Sequence, residues 1–314
     1  MSKKILITDK VDPLLPDGLS DMGFECHYHP QMPYLEVMDV LPAFQGVVVN
    51  SKVICNKEFL NIGRHLEFVA RLGSGLDIID IPYAKQLGIE VISSPEGNAN
   101  AVGEHVLGML LTLLHRINIA DSNVREGRWL REQNRGKALK GQTVGIIGFG
   151  HTGPAFAQKL RGMGVNVLVY DKYNKVDKTQ FPEVVQVELS NLLKRSDIVS
   201  LHIPLTAETE NMVDRSFLDR MQKGSILINS SRGRILKTSD LRLSMEEGRI
   251  GGVCLDVLEN ERPNTWSNEE ARLYSFFQES NRAVLTPHIA GWTFESLRLI
   301  ASVLLTKIQN FYGL

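Results

Sequence analysis

The sequence has few cysteines, and those it has are widely spaced. Cys26, Cys55 and Cys254 form no Cys-x-x-Cys pair. This pattern argues against a disulfide framework and against a zinc site built from thiolates. It is typical of a protein that stays in a reducing compartment. We therefore expect a cytoplasmic protein without a bound metal.

An excess of charge of one sign and long apolar runs are also missing. Lysine and arginine number 35 against 36 aspartates and glutamates, so the basic excess typical of nucleic-acid binding is lacking. No apolar run approaches the roughly 18 residues that span a bilayer. The first residues do not have the pattern of a signal peptide. We expect no nucleic-acid partner and no membrane association.

Short strand-like runs alternate with helical patterns along all 314 residues, a length that suits about two domains. Apolar strands separated by helices are typical of parallel sheets built from β-α-β units and covered on both faces. The fold class is therefore α/β, with doubly wound parallel sheets. The predicted strands are Lys4–Thr8, Gly46–Val49, Phe68–Leu72, Glu90–Ile92, Thr143–Gly148, Asn166–Tyr170, Ile198–Ile203, Ser225–Asn229, Gly252–Leu255 and Ala283–Thr286.

Two long helical patterns flank the glycine-rich centre of the chain. We predict one helix over Ala101–Asn123 and another over Phe294–Phe311. Shorter helices are predicted at Ala155–Met163, Leu189–Lys194 and Thr238–Glu247. The two long helices favour crossovers between two domains. In that arrangement the chain leaves a first domain near residue 101 and returns to it near residue 290. The alternative is that both are ordinary packing helices.

The segment Gly148–Gly153 has the G-x-G-x-x-G spacing of a dinucleotide-binding turn. A predicted strand precedes it and a predicted helix follows it, which is the context that this motif requires. Gly148 would permit the tight turn, and Gly150 would let the backbone approach a pyrophosphate. Gly153 would allow close packing of the helix on the strand.

NAD is the dinucleotide that the neighbouring residues predict. The amides of His151 and Thr152 would face phosphate oxygens at a helix N-terminus, where the helix dipole favours anions. Asp171 ends the next predicted strand and would accept hydrogen bonds from the ribose hydroxyls. Its carboxylate would repel a 2′-phosphate, which favours NAD over NADP. Lys172 either softens that preference or lies in solvent.

Three polar side chains follow predicted strands further along the chain: Arg232, Glu261 and His288. In a doubly wound sheet, residues just beyond the carboxyl ends of the strands line the ligand crevice. Each side chain alone fits a surface or capping role. Together, at successive strand ends, they predict a reaction site beside the nicotinamide.

These motifs, in this order, resemble those of the D-isomer-specific 2-hydroxyacid dehydrogenases over essentially the whole chain. The matching segments are Arg71–Asp77, Gly103-Glu104-His105, the glycine turn, His202–Thr206, Asn229–Gly233, Leu255–Val257, Glu261 and Thr286–Gly291. The resemblance implies a Rossmann NAD-binding domain over residues 101–288. That domain would be inserted into a flavodoxin-like, discontinuous substrate domain over residues 1–100 and 289–314. It also implies NAD-linked interconversion of a 2-oxo acid and a D-2-hydroxy acid, in a homodimer.

The resemblance assigns His288 as the acid/base, Glu261 as its partner and Arg232 as the substrate anchor. A histidine can exchange a proton near neutral pH, and a carboxylate on its other ring nitrogen fixes the tautomer. A guanidinium can bind a carboxylate with two hydrogen bonds. The amides of Ser74 and Gly75 could hold the substrate carboxylate from the other domain. The resemblance places further cofactor contacts at Pro204, Ser230, Arg232, Asp256, His288 and Gly291.

The substrate depends on Asn50, Ser51 and Lys52. The chain resembles the phosphoglycerate dehydrogenase branch, which serves serine biosynthesis and tends to carry an arginine where Asn50 stands. The first expected substrate is 3-phosphoglycerate, with its phosphate bound by Ser51 and Lys52. The second is a small unphosphorylated acid such as glyoxylate or hydroxypyruvate. Trp292 either walls the pocket or packs in an interface. The competing class is a non-enzymatic NADH-sensing protein, against which the proton-transfer residues argue.

Overall fold

The computed structural model describes residues 2–314, which divide into two compact units. Unit 1 consists of residues 2–99 and Trp292–Leu314, and unit 2 of Asn100–Gly291. The domain boundaries expected from the sequence lie one residue and three residues away from these divisions. Unit 1 is thus discontinuous in sequence, and unit 2 is one continuous segment.

Unit 1 contains a five-stranded, all-parallel sheet in the order β2-β1-β3-β4-β5. This is the order of flavodoxin-like sheets. The strands are β1 (Lys4–Ile7), β2 (Glu25–Tyr28), β3 (Gly46–Val49), β4 (Phe68–Arg71) and β5 (Glu90–Ser93). The helices are α1 (Leu14–Asp21), α2 (Tyr34–Val40), α3 (Lys57–Ile62), α4 (Ile81–Gln86), the start of α5 (Pro95–Leu114) and α12 (Phe294–Tyr312).

Alternation along the strands gives this sheet two apolar faces. Ile5 and Ile7 belong to a core that includes α1 and α12, whereas Leu6 belongs to the core that includes α2 and α3. All three side chains are fully buried. Successive strand residues point to opposite faces, so a run of apolar residues predicts cover on both sides.

Unit 2 contains a seven-stranded, all-parallel sheet in the order β12-β11-β10-β9-β6-β7-β8. The order β8-β7-β6-β9-β10-β11 is that of a Rossmann sheet, extended here by β12. The strands are β6 (Thr143–Ile147), β7 (Asn166–Tyr170), β8 (Val184–Gln186), β9 (Ile198–Leu201), β10 (Ser225–Asn229), β11 (Ile250–Leu255) and β12 (Ala283–Leu285). The helices are the rest of α5, α6 (Ile117–Arg125), α7 (Thr152–Leu160), α8 (Leu189–Arg195), α9 (Arg215–Arg220), α10 (Thr238–Glu246) and α11 (Asn268–Glu279).

The single helix predicted over Ala101–Asn123 is wrong. The chain forms α5 up to Leu114 and α6 from Ile117, with a break between them. Arg116 lies at the break with a φ of 54°, in the left-handed region. That conformation ends one right-handed helix and redirects the chain before the next. The helical pattern on both sides of the break is continuous in sequence, so periodicity alone does not reveal it.

Candidate active site

The residues that the sequence singles out in unit 2 follow the carboxyl ends of its parallel strands. Because the strands are parallel, these ends lie on the same edge of the sheet. The glycine turn follows β6, Asp171 follows β7, Pro204 lies beyond β9, Ser230 and Arg232 follow β10, Asp256 follows β11, and His288 follows β12. This edge is where doubly wound sheets bind ligands.

The turn after β6 accepts glycine alone at two positions. Gly148 has a φ of 92°, and a Cβ there would lie 2.2 Å from the carbonyl oxygen of His202. A Cβ at Gly153 would lie 2.1 Å from the carbonyl oxygen of Gly148. Gly150 faces open space, with nothing within 4 Å of its Cβ position. A ligand can therefore approach the backbone at Gly150, as the pyrophosphate of a dinucleotide would.

Backbone N–H groups hold the carboxylate of Asp171, the predicted ribose acceptor, in place. Its Oδ2 accepts a hydrogen bond from the backbone N–H of Phe149 at 2.6 Å, which ties it to the glycine turn. Its Oδ1 accepts from the N–H groups of Tyr173 and Asn174 at 2.8 and 2.7 Å. Partial burial raises the pKa of Asp171, but these N–H donors outweigh it and hold the pKa below its usual value. The group is thus a carboxylate at neutral pH.

Ser230 offers a second group suited to a ligand. Its hydroxyl is buried and has no hydrogen-bond partner among residues 2–314. Buried polar atoms are nearly always paired, so an unpaired hydroxyl at a strand end is suited to contacting a bound molecule. The glycine turn, the Asp171 carboxylate and this hydroxyl together fit a dinucleotide.

Asp256 organises the loop that carries His288. It is almost fully buried, and its two carboxylate oxygens each accept a backbone N–H at 2.9 Å, from Ile289 and Ala290. Its carbonyl oxygen accepts from the N–H of His288 at 2.7 Å. Thr286 donates its hydroxyl to the carboxylate as well, at 2.5 Å. The cofactor contact expected at Asp256 stays a prediction, and its carboxylate holds this loop.

His288 itself has a φ of 55°, an uncommon conformation for a residue with a side chain. Such strain persists where the surroundings fix it, and the bonds to Asp256 supply that constraint. The Nδ1 atom of His288 lies 2.9 Å from Oε2 of Glu261. Both side chains remain about two-fifths exposed. An imidazole paired with a carboxylate thus stands open at the edge of the sheet.

The loop carrying Glu261 is braced by aromatic residues from the following segment. The indole N–H of Trp266 donates to the carbonyl oxygen of Asn260 at 3.0 Å, and the N–H of Asn260 donates to the hydroxyl of the buried Tyr274 at 3.1 Å. The rings of Trp266 and Tyr274 lie 4.5 Å apart. Residues 262–282 therefore form a compact support, made of a 3-10 turn (Pro263–Thr265) and α11.

Arg232 lies in the turn after β10, partly buried. The side-chain amide of Asn229 donates to the carbonyl oxygen of Arg232 at 2.9 Å. The guanidinium of Arg232 donates to the carbonyl oxygen of Ser231 at 2.7 Å. A Cβ at the next residue, Gly233, would lie 1.9 Å from the carbonyl oxygen of Leu258. The turn with Arg232 therefore packs directly on the segment that leads to Glu261.

His202 is a site residue for which the sequence predicted no role. Its ring is buried, with Nε2 2.9 Å from Oγ of Ser200 and Nδ1 3.1 Å from Oγ1 of Thr152. The ring also stacks on Phe156. Burial lowers its pKa to about 3, so it is neutral. It joins the end of β9 to the start of α7, next to the glycine turn.

The residues predicted to bind substrate from unit 1 also follow strand ends. Asn50 follows β3, where its N–H donates to Oδ2 of Asp9 at 3.0 Å. The ammonium of Lys52 donates to the carbonyl oxygens of Pro30 and Met32, at 2.8 and 3.2 Å. Ser51 is exposed beside them.

Ser74 and Gly75 lie in the turn after β4, with Ser74 exposed. The turn is fixed at Gly73, whose N–H donates to Oγ of Ser94 at 2.9 Å.

No group of three His, Cys, Asp or Glu side chains among residues 2–314 could hold a metal ion. Within the same residues, no helix combines the length and apolar character needed to cross a bilayer.

Comparison with known proteins identifies the family. The family model for the NAD binding domain of D-isomer specific 2-hydroxyacid dehydrogenases matches residues 107–290. The chain is 33% identical to a hydroxypyruvate reductase from Thermotoga maritima, over 89% of this chain and 88% of that protein. It is 30% identical to a D-3-phosphoglycerate dehydrogenase from Archaeoglobus fulgidus, over 98% of this chain and 57% of that protein. The chain thus spans little more than half the length of the latter relative.

Among solved structures, a D-lactate dehydrogenase from Aquifex aeolicus, complexed with NAD and lactic acid, matches with a TM-score of 0.86. It is 26% identical, and the match covers 99% of this chain and 96% of that one. This protein therefore belongs to the D-isomer specific 2-hydroxyacid dehydrogenases. The family, the α/β fold and the NAD cofactor predicted from the sequence are confirmed.

Proposed function

We propose that this protein is an NAD-dependent oxidoreductase that interconverts a 2-oxo acid and a D-2-hydroxy acid. The pairing of His288 with Glu261 at 2.9 Å carries the proposal. It stands on the sheet edge that also carries the glycine turn and Asp171. A protein that only senses NADH needs a dinucleotide site but no proton donor.

The chemistry assigns each of these side chains one task. Bound NADH supplies the hydride for the carbonyl carbon of the acid. Because Nδ1 of His288 is engaged by Glu261, Nε2 is the atom that gives its proton to the developing alkoxide, or takes it back in the reverse direction. The Glu261 carboxylate stabilises the imidazolium and keeps the ring oriented. Arg232 binds the substrate carboxylate through its planar guanidinium.

A short, unphosphorylated 2-oxo acid such as glyoxylate or hydroxypyruvate is the substrate that the structure favours. The ammonium of Lys52, expected to grip a phosphate, is already bonded to two carbonyl oxygens, and the carboxylate of Asp9 lies beside Asn50. To bind here, a phosphate dianion would have to draw the ammonium of Lys52 away from these carbonyl oxygens. It would also be repelled by the carboxylate of Asp9. The similarity to a hydroxypyruvate reductase over nearly its whole length supports the same substrate class.

Oxidation of 3-phosphoglycerate, and with it a role in serine biosynthesis, is the second candidate. It is supported by the 30% identity to D-3-phosphoglycerate dehydrogenases over almost all of this chain. The two candidates differ in the charge that unit 1 must accept. The phosphate would need Lys52 to leave its carbonyl partners.

The test is NADH oxidation over a panel of glyoxylate, hydroxypyruvate, pyruvate and 3-phosphohydroxypyruvate, with a Lys52→Ala variant assayed in parallel. The proposal expects turnover with a short unphosphorylated acid, and a kcat/KM for it that the variant leaves near wild type. A preference for the phosphorylated acid that is lost in Lys52→Ala would favour the second candidate. NADH binding without oxidation by any acid would support the sensor instead.

We also propose that the protein acts as a cytoplasmic homodimer. The exposed side chains of Ile117, Val124 and Trp129 on α6 and just after it support an interface there, with Trp129 78% exposed. Light scattering of the wild type and of Trp129→Ser tests this assembly. A monomeric wild type would contradict it.

A further inference from the structure

A small ionic cluster lies beside the predicted ribose acceptor, at the carboxyl end of β7. Lys172 directly follows Asp171, and its ammonium forms an ion pair with Glu208. The hydroxyl of Tyr173 donates to the other carboxylate oxygen of Glu208 at 2.6 Å. Both oxygens of Glu208 are thus engaged by two consecutive residues of the loop that Asp171 begins.

The backbone at Glu208 belongs to a hydrogen-bonded turn. After β9, the N–H of Thr206 donates to Oγ1 of Thr209 at 2.8 Å, and that hydroxyl donates to the carbonyl oxygen of Pro204 at 2.6 Å. The N–H of Glu208 points to Oγ1 of Thr206 at 3.3 Å. These bonds fix the backbone of the turn at Glu208, while its carboxylate is held by Lys172 and Tyr173.

The other side of the cluster is equally constrained. The N–H of Tyr173 donates to Oδ1 of Asp171, which fixes the backbone that carries Lys172. The ammonium of Lys172 also lies 5.5 Å from the centre of the Tyr173 ring. The ion pair is half-exposed, and its partners stand 36 residues apart in sequence.

A cation beside the ribose acceptor is what lets such a site take a 2′-phosphate. In dinucleotide-binding folds, the acidic residue binds the ribose hydroxyls of NAD, and a nearby basic side chain accommodates the additional phosphate of NADP. Lys172 has the right charge and the right place in sequence for that second role. Glu208 occupies its ammonium and adds a negative charge to the same region.

We propose that Glu208 is a specificity-determining residue, which keeps the site selective for NAD by holding the ammonium of Lys172 in an ion pair. The inference rests on the proposed function, since it concerns the same dinucleotide site. In this arrangement Asp171 repels the 2′-phosphate, and Glu208 withholds the charge that would offset the repulsion. Tyr173 holds the second oxygen of Glu208.

The test measures the Kd of NADH and NADPH by nucleotide fluorescence for the wild type, Glu208→Gln, Lys172→Ala and the double variant. Glutamine keeps the length of the side chain and an acceptor for Tyr173 but has no charge to hold Lys172. We expect Glu208→Gln to lower the Kd of NADPH by about threefold to fivefold at low salt, as expected for a freed exposed cation. The Kd of NADH should stay near wild type.

Lys172→Ala alone should leave the Kd of NADH near wild type and should not tighten NADPH binding, because it removes the cation and leaves the carboxylate of Glu208 unpaired. In the Glu208→Gln background it should abolish the gain for NADPH, and salt at about 0.5 M should also reduce that gain. Glu246→Gln is the matched control, since Glu246 forms an exposed ion pair with Arg242 on α10 of the same unit. It should leave the ratio of the two constants unchanged.

Three results would overturn the inference: no gain for NADPH in Glu208→Gln, an equal gain in the double variant, or tighter NADPH binding in Lys172→Ala. The second would assign the selectivity to the charge of Glu208 alone. Failure of the wild type to bind either nucleotide would instead contradict the proposed function. Intact NADH binding with an unchanged ratio would contradict the role of Glu208 only.

Discussion

His202 should make unit 2 sensitive to acid. The ring is buried between Ser200, Thr152 and Phe156, and burial lowers its pKa from 6.5 to about 3. In the unfolded chain the imidazole returns to its ordinary pKa near 6.5. The unfolded state therefore takes up a proton at a pH where the folded state does not.

The sign and size of the effect follow from this difference. Because the folded pKa is depressed, the contribution to stability is fully present above pH 6.5 and is lost as the pH falls toward 3. Each unit of pH below 6.5 removes about 1.4 kcal/mol from the free energy of unfolding, or about 2 kcal/mol at pH 5. This is a large share of the roughly 5–15 kcal/mol by which folded proteins are stable.

The assay compares the wild type with His202→Phe. Phenylalanine keeps the contact with Phe156 but cannot titrate, and it leaves Ser200 without a partner, at a cost of about 1–3 kcal/mol at pH 7. Urea unfolding followed by circular dichroism measures the free energy of unfolding of both proteins. The difference between the two free energies should narrow by about 2 kcal/mol between pH 7 and pH 5. The exposed His115, changed to Gln, is the control and should keep the wild-type slope. A gap that stays constant over this range would refute the reasoning.

Two further predictions concern the dinucleotide site and the thiols. Asp171→Ala should weaken NADH binding and narrow the difference from NADPH, because it removes both the ribose acceptor and the repulsion of a 2′-phosphate. Nucleotide fluorescence measures both, and a wild type that already prefers NADPH would contradict the role of Asp171. Burial raises the pKa of Cys55 to about 12 and that of Cys254 even further, so neither should react with Ellman's reagent at pH 8 in the native protein. Only Cys26 is partly exposed, and two or more fast native thiols would be inconsistent with this structure.

The sequence predicts the interior strands of both sheets because they are continuous apolar runs. It misses β2 (Glu25–Tyr28) and β8 (Val184–Gln186), each at one edge of its sheet, whereas the opposite edge strands β5 and β12 are predicted. β2 has no fully buried residue, and β8 has one buried residue followed by two exposed ones, so neither has the apolar signal of a strand buried on both faces. The break at Arg116 is a left-handed backbone conformation, and no glycine or proline stands there to predict it.

The candidate site shows the same limit. The glycine turn and Asp171 are predictable because their spacing along the chain is fixed by one β-α-β unit. The pairing of Lys172 with Glu208 joins two separate strand ends, and the burial of His202 depends on packing against α7. Contacts between segments distant in sequence leave no periodic or spacing signal. They become visible only once the strand order is known.

The central claim is that His288, paired with Glu261, exchanges the proton while the nicotinamide exchanges the hydride. Single-turnover oxidation of bound NADH by the preferred 2-oxo acid, in the wild type and in His288→Gln, tests it most directly. We predict that the variant reacts about 100-fold to 10,000-fold more slowly while its Kd for NADH stays near wild type. A variant that loses NADH binding yet turns over at the wild-type rate per occupied site would contradict the claim.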